Sequence, residues 1–62
     1  MKTITITAEL TDDEAMAYAQ FVKRTSFSDY RAHAISEDEA YVMLSAENKI
    51  RAALADQGYA PR

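Results

Sequence analysis

The stretch TITITAE, residues 3–9, decides the predicted fold class of this chain. Apolar and polar side chains alternate strictly along it, so that Ile4 and Ile6 face one side while the threonines face the other. β-Branched residues dominate the stretch and suit a pleated surface. The pattern therefore predicts a half-buried N-terminal β-strand over residues 3–9.

Two capping boxes predict where the main helices begin. Thr11 is followed three residues later by Glu14, and Ser36 is followed three residues later by Glu39. In such a box the hydroxyl accepts the later residue's amide proton, while the acid reaches back to the first amide. Helical spacing of apolar residues then predicts helices over residues 12–24 and 37–57.

The segment between these helices is predicted to hold one short element over residues 28–35. Ser28 is a candidate cap for a short helix, which we favour, while the pattern from Arg31 to Ile35 also allows a short strand. The predicted fold class is therefore α+β and mostly helical, with one N-terminal strand and two main helices. All 62 residues are expected to form a single domain.

Composition argues against a catalytic centre. The chain has no Cys and one His, His33, which excludes thiolate metal sites and any metal site with two or more histidines. Asp29, His33 and Glu37 are spaced by four residues, but the helix that starts after Ser36 breaks their common face. We expect no enzyme activity, no metal and no cofactor.

Charge and hydropathy narrow the class of partner. The net charge is −3, and the acids are grouped at the predicted helix starts. Such a surface repels nucleic-acid phosphate, so nucleic acid is possible but disfavoured as a partner. No signal peptide and no membrane-spanning run is present in the sequence, which predicts a cytoplasmic protein without a membrane partner.

Exposed residues of two kinds are candidate contacts with a partner protein. Tyr30 and Arg31 belong to the residue types that dominate interface hot spots. The acids at the two helix starts are the second kind, although capping and the helix dipole also account for them. They are Asp12, Asp13, Glu37 and Asp38.

The N-terminal part, with its alternating strand followed by a capped helix, resembles the ribbon-helix-helix family of DNA-binding repressors. The resemblance implies two chains that pair their strands and place the outward residues in the DNA major groove. The residues concerned would be Lys2, Thr3, Thr5 and Thr7. A transcriptional repressor of this kind is the alternative functional hypothesis.

The whole chain resembles a family of short uncharacterised bacterial proteins from phages and other mobile elements. The resemblance rests on the strand, on Ala-Gln-Phe-Val-Lys-Arg at residues 19–24, on Phe-Ser-Asp-Tyr-Arg at 27–31 and on Gly-Tyr-Ala-Pro-Arg at 58–62. It implies a non-enzymatic protein-binding module, an accessory or inhibitor of host machinery such as a CRISPR-type defence complex. This is our leading functional hypothesis, with a host or phage protein as partner.

A homodimer is also expected. A lone strand leaves its backbone donors and acceptors unpaired, and pairing with the same strand of a second copy would satisfy them. Ile4 and Ile6 of both chains would then join one core.

Overall fold

The computed structural model describes residues 2–61, which form three helices. Helix α1 is Asp12–Arg24, α2 is Phe27–His33 and α3 is Glu37–Asp56. Helix α3 lies against both α1 and α2. Residues 2–61 include no strand, so the fold class is all helical and the α+β prediction is wrong.

Residues 2–10, the N-terminal arm, are irregular rather than a strand over residues 3–9. A strand needs a hydrogen-bonded neighbour, and the segment that was the other strand candidate is occupied by the end of α2 and the turn after it. Ile4 and Ile6 are consequently 78% and 75% exposed instead of half-buried. The alternation still gives the arm an apolar side, because Ile6, Ala8 and Leu10 all line one groove.

Helix α1 begins with the predicted capping box. The amide of Thr11 donates to Glu14 Oε1 at 2.8 Å, and the amide of Glu14 donates to Thr11 Oγ1 at 3.1 Å. Hydrogen bonds from the Thr11 backbone and side chain favour the charged carboxylate, which lowers the pKa of Glu14. The predicted bounds of this helix, residues 12–24, are confirmed.

One face of α1 supplies most of the core. Ala15, Ala19 and Val22 recur at helical spacing and are buried together with Leu54 of α3. Because three of these four side chains are small or medium in size, the helices approach closely but each contact removes little surface from water.

The middle segment is helical, as favoured, but it begins at Phe27 rather than after Ser28. Its cap is Ser26, whose amide and hydroxyl both donate to Asp29 Oδ2, at 2.7 and 3.1 Å. Helix α2 ends at His33, so the predicted range 28–35 is shifted by one to two residues.

Helix α3 is capped by Ser36, whose Oγ accepts the Glu39 amide at 3.1 Å. The reciprocal half of the predicted box differs, because Glu39 Oε1 accepts from the amide of Ile35 instead of Ser36, at 3.1 Å. The helix ends at Asp56, one residue before the predicted end.

After α3 the chain turns back through Gly58, whose φ of 96° lies in the left-handed region. The amide of Tyr59 donates to the Leu54 carbonyl at 2.9 Å, which directs the Tyr59 side chain onto the core of α1 and α3. Its hydroxyl donates to Asp12 Oδ1. The end of α3 is thereby joined to the start of α1.

The resulting molecule is thin and open. Its extents are 34 × 28 × 15 Å, so its smallest dimension is little more than the ~10–12 Å diameter of one helix with side chains. Its largest buried side chains are Val22 and Leu54. A body of this thickness cannot enclose a thick core.

Gly58→Ala should lower the free energy of unfolding by about 1 kcal/mol, because side chains disfavour a left-handed backbone. An added Cβ would meet nothing within 4 Å, so the loss comes from the backbone alone. Gly58→Asn is the matched control and should lose less, since Asn tolerates this conformation. Urea unfolding measures both, and an unchanged stability in the Ala variant would contradict this role of Gly58.

Candidate interaction surface

Tyr30, a predicted contact residue, is half-buried in α2 rather than fully exposed. It lies near enough to Thr25 and Glu47 for both side chains to affect the pKa of its hydroxyl. Thr25 Oγ1 also donates to Glu47 Oε1 and lies 2.9 Å from the Val22 carbonyl. Tyr30 is therefore part of a polar cluster, Thr25–Tyr30–Glu47, which joins the end of α1 to α2 and α3.

Glu47 is the centre of this polar cluster and is only 6% exposed. It lies on the apolar stripe of α3, between Met43 and Ile50, where a carboxylate loses hydration. The hydroxyl of Thr25, which donates to Glu47 Oε1, replaces part of that hydration. Glu47 was not among the candidate residues predicted from the sequence, although a Glu at an apolar position of a helical repeat was a signal available there.

Burial raises the pKa of the Tyr30 hydroxyl, since desolvation disfavours the phenolate. The Glu47 carboxylate acts in the same direction, while the hydrogen bond with Thr25 opposes it. A hydrogen bond to Asp12 raises the pKa of Tyr59 in a similar way. Both tyrosines are thus stabilised in the neutral form.

Arg31 is exposed, as expected of a contact residue, and its Nη1 lies 3.3 Å from the Ala34 carbonyl. This bond holds the guanidinium over the turn that follows α2. The neighbours Tyr30 and Arg31 therefore differ in exposure: Tyr30 is half-buried and Arg31 lies in solvent.

The acidic helix starts lie at opposite ends of the molecule. Asp12 is bound by Tyr59, which follows α3, so the start of α1 lies beside the end of α3. Glu37 begins the 20-residue α3 and lies about 30 Å from that end at 1.5 Å per residue. Asp13 and Asp38 are exposed beside them. The structure does not bring the four acids into one surface.

The arm residues predicted for DNA contact are all exposed. They are Lys2, Thr3, Thr5 and Thr7. In the described part of the chain they belong to no paired ribbon, because the arm is irregular.

Three neighbouring aromatic rings form an apolar feature of the surface, here called the aromatic patch: Tyr18, Phe21 and Tyr30. The rings of Tyr18 and Phe21 lie 5.7 Å apart, and the two side chains are 46% and 56% exposed. Tyr30 borders two shallow grooves, one shared with Phe21 and the other with Tyr18.

The rim of the aromatic patch carries charges of both signs. Arg24, Asp29 and His33 line the groove that Phe21 and Tyr30 share, which has a volume of about 290 Å³. Exposed aromatic rings with a polar, charged rim are typical of protein interfaces. Tyr30 was a candidate contact from the sequence, but Tyr18 and Phe21 were not.

A second groove, here called the arm groove, runs between the N-terminal arm and the helices, with a volume of about 580 Å³. Its walls are mostly apolar and come from the arm, from the start of α1 and from the end of α3. They include Ile6, Leu10, Ala15, Ile50, Leu54 and Tyr59.

Comparison with known proteins establishes the family. The model of a family of unknown function, DUF7706, matches residues 1–62. The chain belongs to this family. No curated protein and no solved structure matches it. Among residues 2–61, no helix is long and apolar enough to cross a membrane, and no His, Asp and Glu side chains are grouped as a metal site.

Removing the Glu47 carboxylate should destabilise the fold more than removing only its charge. Glu47→Ala should lower the free energy of unfolding by about 1–3 kcal/mol, because the hydroxyl of Thr25 loses its carboxylate partner. Glu47→Gln keeps an acceptor oxygen and should lose clearly less. Urea unfolding at pH 7 compares them, and equal losses would mean that these hydrogen bonds do not stabilise the fold.

Alkaline pH should weaken the fold through the two tyrosines. Because their folded pKa values are raised, stability is full below the ordinary tyrosine pKa of about 10 and falls as pH rises from there through the folded values. Tyr30→Phe and Tyr59→Phe should each flatten this decline. Unfolding curves from pH 8 to 11 test it, and an unchanged slope in both variants would contradict the assignment.

Proposed function

We propose that this protein is a non-enzymatic protein-binding module that contacts its partner through the aromatic patch. The observation that carries the proposal is the pair of stacked, half-exposed rings of Tyr18 and Phe21 beside Tyr30. Apolar rings on a small domain are costly to leave in water, and a partner that covers them recovers this free energy.

The geometry suits a rigid contact. Tyr30 is half-buried beside Glu47, so its ring needs little reordering on binding. Pre-organised aromatic side chains lose little entropy when they are buried, which favours them as interface anchors. Arg31, exposed on the same helix, adds a cation next to Tyr30 in sequence.

For the biological setting we propose a phage or mobile-element protein of bacteria that acts in the cytoplasm. Its partner is host machinery, for which a CRISPR-type defence complex is our specific candidate. The support is its small size, its net charge of −3 and the acids at both long helix starts, which suit the nucleic-acid groove of such a complex.

DNA binding of the ribbon-helix-helix kind stays an untested alternative prediction that no structural observation favours. Its residues Thr3, Thr5 and Thr7 lie on an irregular arm. The only base on that arm is Lys2.

Truncating two rings of the aromatic patch should strongly reduce partner capture and leave the fold intact. The double variant Tyr18→Ala and Phe21→Ala should retain at most about a tenth of the captured partner, since central aromatic anchors carry much of an interface's free energy. Affinity capture from a bacterial host lysate with mass spectrometry identifies the partner. The native chain and the double variant are then each added to a purified CRISPR effector, and only the native chain should inhibit cleavage of the target.

Val42→Ala is the matched control, because Val42 is an exposed apolar side chain on α3 that lines neither patch groove. It should capture the partner as well as the native chain does. Capture that is equally strong with the double variant would exclude the aromatic patch as the contact. An effector that cleaves equally in all samples would remove the defence-complex candidate but not the patch.

A further inference from the structure

The single chain exposes far more surface than a folded protein of its mass. Its accessible surface is 5305 Å², whereas a compact 6.9 kDa monomer exposes about 4,000 Å². Its radius of gyration is 12.6 Å, against about 10.6 Å for a compact chain of 62 residues. The excess of about 1,300 Å² per chain is the area that one subunit buries in an obligate homodimer.

The arm groove is one place where apolar side chains of the single chain stay uncovered. The arm side chains that line it are Ile6, Ala8 and Leu10, so the apolar side of the arm faces the helices across an open space. Among residues 2–61, the backbone groups of residues 2–10 make no hydrogen bond within the chain. The groove therefore lacks both an apolar filling and a partner for the arm's amides and carbonyls.

We propose that a second copy of this chain occupies the arm groove, each copy placing its N-terminal arm in the groove of the other about a two-fold axis. The partner's arm lies alongside the chain's own arm. Its Ile4 and Ile6 pack on Ala15, Ile50 and Leu54, and its backbone groups pair with those of the first arm.

The composition of the arm favours an identical copy over an unrelated partner. Residues 3–8 carry no charge, so two arms side by side bring no like charges together. Isoleucine and threonine alternate, so two antiparallel arms place apolar side chains over the groove and hydroxyls toward water. A contact between identical surfaces closes on itself about a two-fold axis, which leaves no exposed end for further growth.

The core of the single chain points to the same occupant. Its buried apolar residues are Ala15, Ala19, Val22, Ala40 and Leu54, a small set for a chain with so many exposed apolar side chains. A fold with so thin a core needs its covering subunit whenever it is folded, and a second copy is present whenever the first is made.

Light scattering after size exclusion tests the proposal on the native chain, which should elute with twice the 6.9 kDa chain mass at micromolar concentration. The thermal midpoint should rise by about 4 °C for each tenfold increase in protein concentration, because association is coupled to folding. A mass of 6.9 kDa with a concentration-independent midpoint overturns the proposal.

Ile6→Lys separates a dimer contact from a folding defect. Ile6 is 75% exposed in the single chain, so Lys there is harmless to a monomer but places an ammonium group in the groove of a dimer. The variant should lose the double mass, or unfold at concentrations where the native chain is folded. Native mass and stability in this variant would overturn the proposed contact.

Ile35→Lys is the matched control, the same change at a side chain that is 89% exposed and far from the arm in sequence. It should keep the double mass. Thr5→Lys, on the hydroxyl side of the arm, should keep it as well. These measurements do not involve the aromatic patch, so a monomeric result leaves the proposed partner contact standing, and a failed capture leaves the dimer standing.

Discussion

The close approach of α3 to α1 over small side chains is the constraint on which the rest of the structure depends. Ala15 and Ala19 let the helices come together, and Val22 and Leu54 fill the space that remains. Small residues make such contacts close but bury little apolar area, so each contributes little to stability. The helices therefore form a thin layer, and most larger apolar side chains remain at the surface.

Polar contacts help to fix the positions of the helices, as a larger apolar core would do. The Tyr59 hydroxyl joins the segment after α3 to Asp12, and the Thr25 hydroxyl joins the end of α1 to Glu47 of α3. Hydrogen bonds of this kind are directional, so they fix where helices lie even when packing is sparse. They add less net stability than burial would, because each replaces bonds with water. The fold is thus well specified in geometry while its apolar surface stays incompletely covered.

The helices were predictable from sequence because their signals are local. A capping pair such as Thr11 and Glu14 spans four residues, and Gly58 marks the end of α3 by its own backbone preference. The arm was not predictable, since a strand depends on a distant partner that alternation cannot reveal. The half-burial of Tyr30 was not predictable for the same reason, because Glu47, 17 residues later, is part of its environment.

The aromatic patch and the arm groove meet at Ile50, which lines the arm groove and the groove beside Tyr18. Packing changes at Ile50 are therefore felt on both surfaces. A two-fold dimer would also display two aromatic patches, and a partner with repeated sites would bind the second patch at a high effective concentration. Self-association would then raise apparent affinity without any new contact. A chain too thin to cover its own apolar side chains gains from this arrangement, since the same exposed surface that weakens the monomer supports assembly.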